Sequence, residues 1–447
     1  MKYIALSVIV VGLVSSLNAA EDLSSMFTEG KTSGQIREFS ISRSIDVSVG
    51  TDYTRSANVI GGYLKFETAD FKGLGFGAAF YTTNGFSNNN DKTSSHFDPT
   101  LLGKDNKSYS MVGEAYLQYK NGNTTFKAGR QKLDTPMAGS DDARMLPNLF
   151  EAYVLSNTDI ADTTLIAAHV TGFAQGTFGR AYDASANAAN SLLSVTAGYS
   201  AVDSRNQVGE FNNMGTYAVG QSTAGVSAAA VVYSGVKNLK LQLWDYYAHD
   251  ILNIVYGQAD YSWNCLLSDS VHPFAAAQFI KENDVGKKYA GNLEGTYWGA
   301  KFGAKVENFT AYVAYSQTDA NDAGQAATEN AIITAWGGMP AFTQGMVTRH
   351  MFMAGTKATK VAASYNFKAF GPDLTTALYY VKFDMAVNNG YTFGDAKESG
   401  FDITYKPEMV KNLNLRLRGN FADDFNVAQA GITTSWDEYR VIINYNF

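Results

Sequence analysis

The last nine residues, Tyr439–Phe447, constrain the fold of this chain more than any other segment. Side chains of an extended strand alternate between its two faces, so these residues separate into two sets. One face is wholly apolar and carries Tyr439, Val441, Ile443, Tyr445 and Phe447. The opposite face is polar apart from one isoleucine. Such a strand suits a barrel whose outer face meets acyl chains and whose inner face lines a wet interior.

The same segment resembles the closing strand of outer-membrane barrels, in which a terminal phenylalanine is the pattern that the assembly machinery reads. The resemblance makes Tyr445 and Phe447 the predicted C-terminal assembly signal. It also implies that the assembly machinery is a partner of this chain.

The N-terminal residues predict export. Lys2 gives a short positive start, an apolar run covers residues 4–14, and small residues up to Ala20 offer a cleavage site. The apolar run is too short to span a membrane. We therefore predict a cleaved secretory signal peptide at residues 1–19 and one barrel domain at residues 20–447.

Composition supports a transmembrane barrel without proving it. The chain has 27 Tyr, 27 Phe and 41 Gly against 7 Pro, and no segment after the N-terminus approaches eighteen consecutive apolar residues. A secreted β-sandwich or propeller could share these totals. The net charge of −7 argues against a nucleic-acid partner. The single cysteine, Cys265, excludes an intramolecular disulfide.

Alternating segments recur along the chain and are joined by two kinds of connection. Eight short turns alternate with nine longer links, which predicts an all-β, antiparallel transmembrane barrel of 18 strands, wide enough for an aqueous channel. We place the alternating piece Leu192–Ser200 inside the fourth outer loop, because counting it as a strand would break the even number. No fixed sequence period supports a propeller or a β-helix. The predicted turns are at 69–74, 120–123, 157–162, 234–238, 263–271, 305–308, 368–373 and 406–412, and the links are at 51–58, 85–107, 131–149, 174–225, 248–251, 281–293, 318–358, 384–397 and 422–436.

Alternation also predicts which cations face the interior. Arg416 and Arg418 alternate with leucines, and an arginine that faced hydrocarbon at mid-bilayer would cost about 2–4 kcal/mol. In a filled barrel such residues would merely pair with one another, but a barrel of this width is too large to be filled by side chains. We therefore predict a basic ladder on the inner wall, formed by Lys301, Lys305, Lys382, Arg416, Arg418 and Arg440.

Residues 124–153 carry the most specific signal inside the chain. Their motifs Gly129–Gln131, Leu133–Pro136, Ser140–Asp142 and Arg144–Asn148 resemble the loop-three signature of the OprD family of porins, to which the major outer-membrane porins of ε-class bacteria are related. The segment Leu241–Ala248 is also similar to that family. The resemblance implies an eighteen-stranded barrel whose third loop folds inward and forms the constriction opposite the basic ladder. Carried over to this chain, the constriction would hold Arg130, Asp134, Ser140, Asp141, Asp142 and Arg144.

Three aspartates of this loop are also a candidate calcium site. Asp134, Asp141 and Asp142 supply the oxygen ligands that hard cations take. Their spacing lacks the regular ligand order of an EF-hand, and we favour capping of a short helix or a salt bridge to Arg144. No other cofactor is predicted.

The predicted function is that of an outer-membrane porin without enzymatic activity. It would allow passive, charge-selected diffusion of small hydrophilic solutes, namely amino acids, small peptides, carboxylates or ions. The predicted partners are those solutes, outer-membrane lipid and further copies in a homotrimer, and the predicted location is the Gram-negative outer membrane. Two alternatives stay open: a surface adhesin or structural barrel without transport, and an outer-membrane hydrolase, although none of the five histidines lies in a hydrolase motif.

Overall fold

In the part of the chain that the structure describes, nineteen strands form a single antiparallel sheet that closes on itself. The computed structural model describes residues 20–86, 96–103, 106–177 and 209–447. Within them, eighteen strands make the barrel wall, as predicted, and the two-residue strand β8 (Asn212–Asn213) pairs with the end of β7. The predicted signal peptide and Leu192–Ser200 lie outside the described residues.

The strands are long and consecutive in the chain. The described part also holds helices α1 (Leu23–Thr28) and α2 (Met214–Val219) and two 3₁₀ turns, His350–Phe352 and Phe367–Phe370. No helix in the described ranges is long and apolar enough to cross a membrane. The barrel strands are β1 (Lys31–Val47), β2 (Tyr53–Glu67), β3 (Leu74–Gly85), β4 (Tyr109–Asn121), β5 (Thr124–Gln131), β6 (Leu149–Asn157), β7 (Thr163–Ala174), β9 (Val226–Tyr233), β10 (Leu239–Ala248), β11 (Leu252–Ser262), β12 (Val271–Asp284), β13 (Thr296–Val306), β14 (Phe309–Thr318), β15 (Lys357–Asn366), β16 (Asp373–Asp384), β17 (Ala396–Lys406), β18 (Leu413–Val427) and β19 (Thr433–Asn446).

The C-terminal strand closes the barrel. β19 pairs with β18 on one side and with β1 on the other, with Ile36 opposite Tyr445. Tyr445 and Phe447 are exposed on the outer face, at 40% and 49%, as the apolar side of the closing strand requires. Other outward side chains, such as Leu117 and Phe302, are exposed for the same reason, because the outer wall of a barrel meets lipid.

Short turns and longer loops alternate around the barrel in the predicted order. A two-residue turn joins β4 to β5 through Gly122, whose φ of +56° suits a residue without a side chain. The ninth loop is shorter than predicted, because a bulge between Ala422 and Asn426 lets β18 continue to Val427. Three loops matter below: loop 3 (132–148), loop 4 (175–225) and loop 7 (319–356).

The interior of the barrel is packed with loop residues. A large buried cluster joins wall side chains such as Trp244 and Tyr246 to Met137 of loop 3, Met214 of α2 and Trp336 of loop 7. Side chains of the wall alone could not fill a barrel of this width. The loops therefore narrow the lumen from within.

Candidate pore constriction

Loop 3 is fastened to the wall by a bidentate ion pair. Arg37 of β1 donates to both carboxylate oxygens of Asp142, at 2.6 and 3.0 Å, and to the backbone oxygen of Arg144 at 2.8 Å. Burial tends to raise the pKa of Asp142, but the Arg37 guanidinium outweighs it and lowers this pKa below its usual 3.8. Asp142 is therefore a fixed negative charge at the inner wall.

A second fastening is fully buried. Glu438 of β19 binds Arg144 of loop 3 at 3.0 Å and also binds Arg440, and Arg440 donates to Asn420 at 3.1 Å. The side chains of Arg144, Glu438 and Arg440 are at most 1% exposed. Arg144 and Arg440 lie on the inner side, as predicted, but they hold loop 3 in place instead of facing solute.

The other acidic residues of loop 3 have distinct partners. Asp134 accepts from the amide of Ser140 at 3.0 Å and from its hydroxyl at 2.5 Å, which closes a turn. Asp141, whose φ is +38°, pairs with Arg349 of loop 7 at 3.2 Å. The carboxylates of Asp134 and Asp142 are 45% and 35% exposed, so both present charge to the lumen.

These contacts change the interpretation of the candidate calcium site. Residues 141–148 form no helix to be capped, and Asp141 and Asp142 pair with Arg349 and Arg37. Among the described residues, no group of three or more His, Cys, Asp or Glu side chains is placed to hold a metal ion. Calcium binding stays a prediction.

Loop 7 enters the barrel beside loop 3. The amide of Gly139 donates to the backbone oxygen of Trp336 at 3.0 Å, and the Trp336 indole donates to the backbone oxygen of Met214 at 3.2 Å. Buried Ile332 and Phe352 add apolar contacts. This second inward loop was not predicted, although its apolar side chains are a usable signal, because a solvated surface loop has no need of them.

The structure places most residues of the predicted basic ladder on the inner face of the wall. Arg416 donates to Asp402 at 2.8 Å, and Arg418 lies 3.2 Å from the same carboxylate. The Lys301 amine lies 4.3 Å from the ring centre of Phe342 in loop 7. Lys305 shares the inward face of β13 with Lys301, since the strand alternates.

Two predicted site residues face outward instead. Lys382 alternates with fully buried Val381 and Phe383, and it lies near the outer end of β16, where it pairs with Asp384 and Asp395. Arg130 alternates with buried Gln131 and lies 3.7 Å from Glu151 on the outside of the wall. Both assignments were wrong, because the outer ends of strands rise to the polar edge of the bilayer and tolerate outward charge.

The structure adds inward cations that the sequence analysis did not single out. Lys65 lies 3.1 Å from Glu114 and 3.3 Å from Glu67, and the Lys127 amine lies 3.6 Å from the ring centre of Tyr116. With Arg37 and Lys132 they line a cavity of about 310 Å³ between loop 3 and strands β1–β5. Alternation in β2 and β5 places Lys65 and Lys127 inward, and the pairing of β1 with β2 places Arg37 on the same part of the wall.

A second cavity, of about 500 Å³, lies between loop 7 and strands β13–β18. Lys301, Lys360 and Arg418 line it with a single carboxylate, Asp402, beside the rings of Tyr312, Tyr379 and Phe342. The first cavity mixes both signs of charge, whereas this cavity is predominantly cationic.

Two histidines that the sequence analysis treated as isolated meet on the outer face. His169 and His249 lie 3.1 and 3.0 Å from the hydroxyl of Ser227. Their rings are 6.0 Å apart. The contacts described for this cluster supply no carboxylate to orient either imidazole, so it lacks the third member of a hydrolytic triad.

Comparisons with known proteins agree on one family. A family model described as an outer membrane porin of the OprD family matches residues 27–447. A search of curated proteins found no match. Among solved structures, the chain is similar to Pseudomonas aeruginosa OpdK with vanillate, at a TM-score of 0.74 and 16% identity over 94% of this chain and 99% of that one.

Two further structures of the same species are also similar. OccK9 (OpdG) has a TM-score of 0.74 and 17% identity over 94% of this chain and 99% of its own. OccK2 (OpdF) in complex with glucuronate has a TM-score of 0.68 and 17% identity, with the same coverage of both chains. At these identities the structural likeness shows a shared fold.

Proposed function

Because this chain belongs to the OprD family of outer-membrane porins, we propose that it passes small carboxylates, amino acids among them, by charge-selected passive diffusion. The barrel provides the aqueous path, and loops 3 and 7 narrow it. Selection would come from fixed charges at the waist and not from a closed gate. The outer membrane is the location that the family indicates.

One observation carries the proposal: fixed charges line the lumen beside loops 3 and 7, where cations of the wall and carboxylates of loop 3 border the same cavity. Arg37, Lys65 and Lys127 belong to the wall, whereas Asp134 and Asp142 belong to loop 3. A solute with both a carboxylate and an ammonium group finds a partner on each side. The cationic cavity beside loop 7 then favours the carboxylate end.

Two of the related porins support a carboxylate in the lumen. OpdK was crystallised with vanillate and OccK2 with glucuronate, and both molecules carry a carboxylate. The proposal for this chain rests on its own cations, namely Lys301, Lys360 and Arg418.

Five finer statements belong to the same proposal. We expect export through a cleaved signal peptide at residues 1–19 and recognition of Tyr445 and Phe447 by the assembly machinery. We also expect a homotrimer and, at Asp134, Asp141 and Asp142, weak calcium binding at most. The chain is proposed to be a channel and not an enzyme.

Reconstitution in planar bilayers tests the function directly. Stepwise conductance from folded, heat-modifiable protein is expected, and a reversal potential in asymmetric salt reports the charge preference. Swelling of protein-containing liposomes in an isosmotic series of sugars, amino acids and carboxylates then orders the solutes. Equal rates for neutral sugars and carboxylates of the same size would refute charge selection, and absence of conductance would refute the channel itself.

A further inference from the structure

One buried carboxylate of the wall binds residues 346–348 of loop 7, while Glu282 of β12 binds the amide of Ile333 farther along the loop. Glu398 of β17 is fully buried and accepts hydrogen bonds from the amides of three consecutive loop residues. The donor–acceptor distances are 2.5 Å for Met346, 3.2 Å for Val347 and 2.7 Å for Thr348. The hydroxyl of Tyr379 donates to the same carboxylate. Successive amides that point at one anion form a nest, here occupied by a side chain of the barrel.

The backbone beside this nest has no room for a side chain. A Cβ atom at Gly345 would lie 2.6 Å from one Glu398 oxygen, so any other residue there would displace either that carboxylate or the loop. The turn is closed by the amide of Gly345, which donates to the backbone oxygen of Thr348 at 3.1 Å. Residues 345–348 are therefore shaped around the carboxylate.

The same segment forms one side of the cationic cavity. The Lys360 amine donates to the backbone oxygen of Gln344 at 2.6 Å, and the ring centre of Phe342 lies 4.3 Å from the Lys301 amine. The position of residues 342–346 therefore decides how far these two lysines are covered. Glu398 itself does not line the cavity.

We propose that Glu398 is the positioning residue of the constriction: by clamping the amides of Met346, Val347 and Thr348, it sets the width and the charge exposure of the pore beside loop 7. The inference rests on the proposed function, because it assigns a role in conduction. Loss of the clamp would let loop 7 fluctuate, widen the lumen and uncover Lys301 and Lys360. The barrel wall would stay intact, since its strands pair without loop 7.

The chain contains a built-in reporter for this clamp. Arg349 is the only Lys or Arg between residues 319 and 356, and it is buried in the seated loop. Trypsin can cut there only when loop 7 leaves its seat, and mass spectrometry identifies the cut by the new N-terminus at His350.

The experiment compares Glu398→Gln with Asp402→Asn in folded, full-length protein. Both substitutions remove one carboxylate from the inner face of β17. Glu398 accepts hydrogen bonds from loop 7, whereas Asp402 accepts them from Arg416 of the wall. Glu398→Gln should speed cleavage after Arg349 by roughly 10- to 100-fold, because the negative charge that strengthens three hydrogen bonds is lost and one acceptor oxygen is replaced by a donor. It should also raise single-channel conductance and current noise. Asp402→Asn should keep Arg349 protected.

Further variants separate the possible outcomes. Glu398→Asp keeps the charge and should restore part of the protection, whereas Gly345→Val should mimic Glu398→Gln without any change of charge. Heat-modifiable mobility of every variant confirms that the barrel is folded. If the wild type conducts but Glu398→Gln shows unchanged conductance and a protected Arg349, the proposed role of Glu398 is refuted. The proposed channel function is then unaffected. If the folded wild type does not conduct, the proposed function fails, although the tryptic assay still reports on the clamp.

Discussion

Glu438 offers the most demanding test of how loop 3 is held. Its carboxylate binds Arg144 of the loop and Arg440 of the wall, and all three side chains are at most 1% exposed. Replacing Glu438 by glutamine keeps the size of the side chain but leaves two buried guanidinium groups without their shared counter-charge. Removal of one member of a buried ion pair costs about 3–5 kcal/mol. We expect Glu438→Gln to lower the free energy of unfolding by an amount in this range.

The other fastening of loop 3 provides the comparison. Asp142 binds Arg37 with good geometry, but the aspartate side chain is 35% exposed and water screens the pair. After that discount, Asp142→Asn should cost about 1 kcal/mol or less. We therefore predict that Glu438→Gln lowers the free energy of unfolding considerably more than Asp142→Asn does.

Urea unfolding of the barrel in detergent, followed by tryptophan fluorescence and heat-modifiable mobility, measures both free energies. A double variant, Glu438→Gln with Arg144→Met, should recover part of the loss, because one unpaired buried cation is removed. The reasoning is refuted if Glu438→Gln destabilises the protein no more than Asp142→Asn does. It is also refuted if the second substitution recovers nothing.

Four further predictions concern conduction and pH. Arg416→Ala with Arg418→Ala should slow carboxylate entry in liposome swelling, because two wall cations are lost, and an unchanged rate would remove these residues from the ladder. Asp142→Asn should shift the reversal potential towards greater anion selectivity at neutral pH, because a negative charge is lost. In the wild type, protonation of Asp142 should cause the same shift only below pH 3.8, because the neighbouring Arg37 guanidinium lowers the pKa of this carboxyl. Burial lowers the pKa of His350 from 6.5 to about 4, so the seating of loop 7 should be fully stable above pH 6.5 and lose up to about 3 kcal/mol as the pH falls towards 4. His350→Gln should abolish this dependence, measured as protection of loop 7 amides from hydrogen exchange after correction for the intrinsic effect of pH on exchange. Lys382→Ala should leave the reversal potential unchanged, and any shift would show that the side chain of Lys382 faces the lumen.

The wrong assignments show the limit of alternation as evidence. Parity correctly groups Tyr380, Lys382 and Asp384 on one face of β16, but it does not say which face points inward. The assumption that charges face inward holds at mid-bilayer and fails near the outer end of a strand. Arg130, one residue before the end of β5, failed for the same reason.

The role of individual ladder residues was equally beyond the sequence. Arg440 and Arg416 have the same inward direction, yet Arg440 is buried against Glu438, whereas the side chain of Arg416 is 37% exposed to the lumen. The difference arises because Arg144 of loop 3 packs against the Glu438–Arg440 pair and leaves Arg416 uncovered. Such coverage is a property of the folded barrel.

The number of strands, the alternation of turns with loops and the lipid-facing side of the closing strand were all determined by the sequence alone. These features are local, because a period of two residues and the residues of a turn act over a few positions. The constriction was decided by the tertiary structure. Glu438 and Arg144 are almost 300 positions apart in the chain and meet because β19 closes the barrel beside β1, next to the strands that carry loop 3. Loop 7 reaches Glu398 only because the closed barrel surrounds it, and no local pattern encodes contacts that closure creates.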